Sequence, residues 1–284
     1  MTQRIYTLLI SLAISIFITV PVSGAENASS RSIAKRGTTN RVHRHSMQDV
    51  QAGIYKNESD CIRSTDPLNF ALEGLAKYKD AGTLSSPERM GLELCLADAL
   101  GLRKIEYKFE IRRELATGEI VSLADIADID LSYISDPERH VVKPWVRDYL
   151  IEFVDYLKGA SPILSEKFRV TSTLRHVDLL RREGGTPVSC NTSFGTLRLC
   201  STHATAATID IGNHPDPNVI SRERRAKILQ KLLCDRATGR MIFIAEHWGP
   251  HFHVFVLPPN VRVPDLPGEI TPVTRTTLQE SQCV

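Results

Sequence analysis

Strict alternation over His251-Phe-His-Val-Phe-Val256 constrains this chain more than any other feature. Side chains along a β-strand alternate between its two faces. His251 and His253 therefore project to one side, their Cα atoms about 7 Å apart. Phe252, Val254 and Val256 project to the other side. The strand belongs in a sheet with one apolar face and one face carrying chemistry. Its partner is expected just upstream, where Thr238-Gly239 turns the chain into the apolar run Met241-Ile-Phe-Ile-Ala245. The two runs make an antiparallel pair, and Pro258-Pro259 ends it. Thr208-Ile-Asp-Ile211 and Phe168 to Thr173 read as two more strands, the latter delivering Arg175.

Helices are expected around this sheet. Pro144 opens one, with Val146, Tyr149, Leu150, Phe153, Val154 and Leu157 at helical spacing and Gly159 as its stop. Ser221 to Cys234 is a second, burying Ile228, Leu229, Leu232 and Leu233 and turning Arg222, Arg224, Arg225, Lys227 and Lys231 outward. Nearer the N-terminus, Asp66-Pro67 and Ser86-Pro87 are two helix openings. The first is followed by Leu68, Leu72, Leu75 and Ala76, the second by Met90, Leu94 and Ala97, with Gly101 as stop. Between these and Pro144 the period changes to two. Ile105, Tyr107, Phe109 and Ile111 alternate with charged residues, Thr117-Gly118 is a turn, and Ile120 to Leu123 is the return strand of a hairpin. The fold class is α+β: a C-terminal antiparallel sheet with flanking helices, preceded by a mainly helical region with a β-hairpin. The expected organisation is a signal peptide over 1–25, a flexible linker over 26–60, a helical and hairpin region over 61–140, the sheet domain over 141–260 and a tail over 261–284.

The N-terminus reads as an export signal. Arg4 precedes the apolar Leu8 to Val20, Pro21 breaks it, and Ser23-Gly24-Ala25 offers small residues for cleavage. A periplasmic or secreted location follows, with no stable membrane insertion after cleavage. Six cysteines in an exported chain read as disulfides. The short polar loop between Cys190 and Cys200 favours that pair, leaving Cys61–Cys95 and Cys234–Cys283. A net charge of +2, with no dense basic tract, argues against a nucleic-acid partner.

The chemistry lies in Ser201-Thr-His-Ala-Thr-Ala-Ala-Thr-Ile-Asp210 and in His251-Phe-His253. Asp210 sits between Ile209 and Ile211, and a carboxylate buried there needs a cation or hydrogen-bond donors. An arginine partner would meet that need; so would a metal shared with His203 and the histidine strand. Imidazole nitrogen and carboxylate oxygen suit zinc, and a catalytic zinc keeps a position open.

The pattern His203-x6-Asp210 followed by His251-x-His253 resembles the zinc peptidases of the LAS group. That group takes in D-Ala-D-Ala carboxypeptidases and dipeptidases, the penicillin-insensitive murein endopeptidase and the hedgehog signalling domain. Its peptidase motif, Ser-x-His-x-x-Gly-x-Ala-x-Asp, is matched by Ser201, His203 and Asp210, with Ala206 in place of the glycine and Thr208 in place of the alanine. The likeness covers roughly Phe168 to Leu257. It implies a hedgehog- or DD-peptidase-like fold, with zinc on His203, Asp210 and His253 and His251 as the catalytic or supporting histidine. Arg175 would hold the substrate and steady the oxyanion, while Ser201 and Trp248 would line the substrate cleft. The family glutamate three residues before the last ligand corresponds to Pro250, so Glu246 or His251 would take the proton. The implied activity is hydrolysis of peptidoglycan peptides as an exported metallopeptidase, either carboxypeptidase or endopeptidase. The alternative is an inactive, zinc-containing module that binds wall peptides.

Overall fold

The computed structural model describes residues 60–61, 63–77, 87–160, 167–183, 201–212, 219–245 and 251–264. The expected signal segment, linker and C-terminal tail lie outside them, as do Glu246, Trp248, Pro250, Cys190, Cys200 and Cys283. The described residues all fall within one unit, Arg44–Val284.

Helix α1 (Pro67–Ala76) begins where Asp66 caps it, its carboxylate accepting from the Asn69 amide at 3.0 Å. Proline at the first position costs nothing there, because that N–H has no helical partner. Helix α2 (Pro87–Ala99) lies against α1. Their contact is close: a Cβ on Gly74 would fall 2.6 Å from Leu92 Cδ2. The Cys61–Cys95 disulfide, Cα atoms 5.9 Å apart, ties the start of this pair together, as expected. Cys234 is disulfide-bonded as well.

The expected hairpin is not formed. Ile105 and Glu106 lie outside any strand and bond to a 3-10 turn and a helix start: Ile105 N–H to the Ala204 carbonyl, and the amides of Val177 and Asp178 to the carbonyls of Ile105 and Glu106. Residues Glu110–Thr117 are helix α3. Glu110 reaches back from the first turn to accept from the Glu106 amide at 2.8 Å. Gly118, at φ 76°, supplies the left-handed stop. The alternation misled because only Ile105 and Ile111 are buried, whereas Tyr107 and Phe109 are exposed. The helix formers of Glu110-Ile-Arg-Arg-Glu-Leu-Ala then prevail over a short period-two pattern. Strand β1 (Val121–Ser122) does pair, but with β3 (Val141–Val142).

Strands β2 (Ile129–Asp130), β4 (Phe168–Ser172), β5 (Thr208–Gly212), β6 (Met241–Ala245) and β7 (His251–Val256) form a five-stranded sheet in the order β2-β4-β5-β7-β6. Its neighbours are antiparallel, as expected, except for a parallel β2–β4 edge. The remaining helices are α4 (Pro144–Ala160), α5 (Val177–Glu183) and α6 (Val219–Ala237).

Alternation sorts the sheet into two faces. Phe168, Val170, Ile209, Ile211, Phe243, Phe252 and Val254 join the buried side chains of α4 and α6 in one core. Six side chains of α4 go into it: Val146, Tyr149, Leu150, Phe153, Val154 and Leu157. At about 1.5–3 kcal/mol each, they contribute about 10 kcal/mol before the entropy of ordering. On the other face, Ala207, Ile242, Phe255 and Leu257 pack with Leu75, Leu92, Leu96 and Ala97 of α1 and α2. Residues from 61 to 140 thus share both cores with the strands after 141. Asp210 and His253 face the α1–α2 side, because their neighbours in sequence face the other.

Candidate metal centre

Register brings two of the three candidate ligands together. Asp210 on β5 stands directly opposite His253 on β7, with Ile209 opposite Val254 and Ile211 opposite Phe252. Paired side chains on one face lie within reach of each other. His203 arrives on a 3-10 turn, Thr202–Thr205, which Ser201 caps by accepting from the His203 amide at 3.3 Å. The turn leaves through Ala206 at φ 60°, the one non-glycine residue with positive φ among the described residues. This is where the resembling motif carries glycine, the residue that takes this conformation without strain.

His203 Nε2 lies 3.1 Å from Asp210 Oδ1, and His253 Nδ1 lies 3.2 Å from the same oxygen. The three ligating atoms fall within 4.8 Å of one another. Zinc bonds of about 2.0–2.1 Å give a tetrahedron with edges of roughly 3.3 Å, so these separations suit one ion.

A neutral imidazole has one N–H and one lone pair. His203 Nδ1 is 2.7 Å from the Thr173 carbonyl oxygen, which only accepts, so Nδ1 carries that proton. His253 Nε2 is 2.9 Å from Glu93 Oε1, which accepts as well. His203 Nε2 and His253 Nδ1 are then left with lone pairs, both aimed at a carboxylate oxygen. Three electron-rich atoms in a buried site repel one another unless a cation sits among them or further protons are taken up. Metal-binding histidines commonly donate their other N–H to a carbonyl or carboxylate, and both do so here.

The electrostatics show how the cluster meets this need without a metal. Burial works to raise the Asp210 carboxyl, but the charges and hydrogen bonds of His203 and His253 outweigh it and hold it well below the usual carboxylate range. Burial lowers His203, against the pull of Asp210. Burial also opposes charge on His253, yet the Glu93 charge and the hydrogen bonds to Asp210 and Glu93 prevail and hold it well above the usual imidazole range. In the metal-free cluster a proton on His253 Nδ1 meets the Asp210 charge, and a bound cation would take that proton's place.

Arg175 belongs to the same network. Its Nη2 donates to Asp210 Oδ2 at 3.2 Å and its Nε to Ser172 Oγ at 2.8 Å. The arginine partner for Asp210 therefore coexists with the histidines: Arg175 engages Oδ2 and the imidazoles engage Oδ1. Its side chain is 25% exposed, so Arg175 is the part of this network nearest to solvent, whereas Asp210 and His203 are buried.

The structure thus brings His203, Asp210, His253 and Arg175 together, with Ser201 one step behind as a cap. His251 is partly buried on β7, opposite Gly212 and next to the Asp210–His253 pair along the strand direction. Two residues of the network were missed at the level of sequence: Glu93 and Thr202, whose hydroxyl donates to Glu93 Oε1 at 2.6 Å. Glu93 had a readable signal. It lies three residues after Met90 and four before Ala97, a charge placed inside the apolar stripe of α2.

A scan against protein-family models and searches of curated proteins and of solved structures found no match to this chain. None of the helices among the described residues is long and apolar enough to cross a membrane. The Cys61–Cys95 disulfide is consistent with an oxidising, exported location.

Proposed function

We propose that this chain is an exported zinc-dependent peptidase acting on peptidoglycan peptides. One observation carries the reading: His203 Nε2 and His253 Nδ1 converge on Asp210 Oδ1, while Thr173 and Glu93 occupy the outer nitrogens of the same rings. That donor set, two imidazoles and a carboxylate, matches a catalytic zinc site that keeps a place for water or substrate. When bound, zinc supplies Lewis acidity for polarising a carbonyl and acidifying water.

The chain's own groups do the rest. Asp210 brings negative charge to the ligand set, and Arg175 fixes its orientation through Oδ2. A partly exposed arginine beside the centre suits a peptide carboxylate or a developing oxyanion. Accepting a proton from water and passing it to the leaving amine needs a general base within reach. His251, on the same strand face as His253, and Glu246 are the two groups for that role. The preference for wall peptides with D-amino acids comes from the motif likeness, as do the substrate contacts of Ser201 and Trp248.

A second reading has its own support. Ala206 holds a left-handed conformation where the motif has glycine, and Pro250 stands at the position of the usual glutamate. Both departures fit a zinc-keeping module that binds wall peptides without cutting them.

The test is digestion of purified wall peptides by the zinc-loaded protein, reading released amines, beside His251→Ala and His253→Ala. A peptidase loses activity in both variants, and only His253→Ala loses the metal. Peptide binding by the zinc-loaded wild type with no new amines would favour the binding module.

A further inference from the structure

Glu93 is a buried carboxylate that the motif leaves unassigned. It sits on α2, where every residue from Leu92 to Ala97 is buried, and it is itself 3% exposed. A carboxylate in such a place is costly unless it is partnered. Its Oε1 accepts from Thr202 Oγ1 at 2.6 Å and from His253 Nε2 at 2.9 Å. Its Oε2 is buried and has no hydrogen-bond partner among the described residues.

Direction decides what Glu93 does. It meets the His253 ring at Nε2, whereas Asp210 meets it at Nδ1. Glu93 therefore lies across the imidazole from the point where His203, Asp210 and His253 converge. It is neither a fourth ligand nor a base within reach of substrate. Its two partners, however, belong to the two elements that must be held in step. Thr202 opens the turn that carries His203, and His253 is on β7. A single oxygen ties both to α2.

We infer that Glu93 is a positioning residue: it holds His253 as the Nε2–H tautomer, turns Nδ1 toward the metal, and locks the His203 turn against the same helix through Thr202. This rests on the metal reading above. Partners of this kind typically change metal affinity about 10–100-fold when removed.

The experiment is competitive titration of the full chain with zinc chloride against a chromophoric chelator. Wild type, Glu93→Gln and Thr202→Val are compared, with circular dichroism confirming the fold. Glutamine keeps the shape and one acceptor but loses the charge, so the zinc Kd is expected to rise about 10–100-fold, with a smaller rise for Thr202→Val. A Glu93→Gln Kd within about twofold of a zinc-binding wild type would overturn the inference and leave the metal centre standing. Failure of the wild type to bind zinc would overturn the metal reading itself. Long-range proton–nitrogen spectra of zinc-loaded wild type need no variant, and they keep the question decidable if Glu93→Gln does not fold. His253 should be protonated at Nε2 and ligated at Nδ1, and the reverse assignment would overturn the inference.

Discussion

Replacing Asp210 by asparagine keeps the shape of the side chain and removes its charge, so it probes the centre at its hub. In the wild type the carboxylate meets three groups: Arg175 Nη2 at 3.2 Å, His203 Nε2 at 3.1 Å and His253 Nδ1 at 3.2 Å. Without metal, the variant loses a charge-assisted hydrogen bond to an arginine whose side chain is one-quarter exposed. Such bonds are worth about 1.5–3 kcal/mol, and partial exposure places this one at the lower end, about 1.5–2 kcal/mol. For a protein of this size each kcal/mol moves Tm by about 2–4 °C, so apo Asp210→Asn should melt about 3–8 °C below apo wild type. Zinc adds a second, separate effect. At a hundred times its Kd a ligand adds about 2.7 kcal/mol, or about 5–10 °C for the wild type. The variant keeps two imidazoles and no anionic ligand, so the same zinc concentration should give it almost no rise. The assay is thermal unfolding followed by circular dichroism, with and without zinc, in a chelator-treated preparation. An equal zinc-induced rise in both proteins would refute Asp210 as a ligand. An unchanged apo Tm would refute its role as the hub of the network.

Three further outcomes are expected. Removing the Cys61–Cys95 bridge by double substitution to serine should cost about 3–4 kcal/mol, because its ends are 34 residues apart; denaturant titration measures it. Glu152 is held at about 2, chiefly by hydrogen bonds from Arg240 and also by Lys231, against an ordinary value of 4.5. Its contribution is therefore present above pH 4.5 and lost as the pH falls toward 2. The side chain is 47% exposed, which screens the pairs to about 1 kcal/mol. Glu152→Gln should thus be less stable than wild type by that amount at pH 7 and equal to it near pH 2, read from urea midpoints across the range. Tyr149 donates to Asp235 at 3.0 Å in the buried core, so Tyr149→Phe should cost about 1–2 kcal/mol by leaving that acceptor short of one donor, again from denaturant midpoints.

The sheet was legible because its strands carry their pattern in few residues. The faces of β7 and the apolar character of β5 and β6 follow from alternation, and the observed register then sets Asp210 opposite His253. The helices opened by Pro67, Pro87 and Pro144 were legible from their caps and stripes. The region between them was not. Four alternating residues looked like a strand, but two of the four point into solvent, and Glu110 nucleates a helix by capping back onto Glu106. The parallel β2 edge is two residues long, too short to leave a period. At the centre, the two short motifs pointed to His203, Asp210 and the histidine strand, and the family resemblance singled out His253; the three lie on adjoining elements. Glu93 lies far away in the chain and was averaged into an otherwise apolar helix face. Arg175 was read as a substrate group; its pairing with Asp210 depends on the irregular β4–β5 register near Ser172, which no local pattern encodes.

The measurement that bears most directly on the metal centre is the metal content of the purified protein, taken beside a His203→Ala variant after both are reconstituted with zinc and desalted. The convergence of His203, Asp210 and His253 predicts about one zinc per chain in the wild type, at a site of the three-ligand kind, and none in the variant. No metal in either protein, or the same content in both, would contradict it.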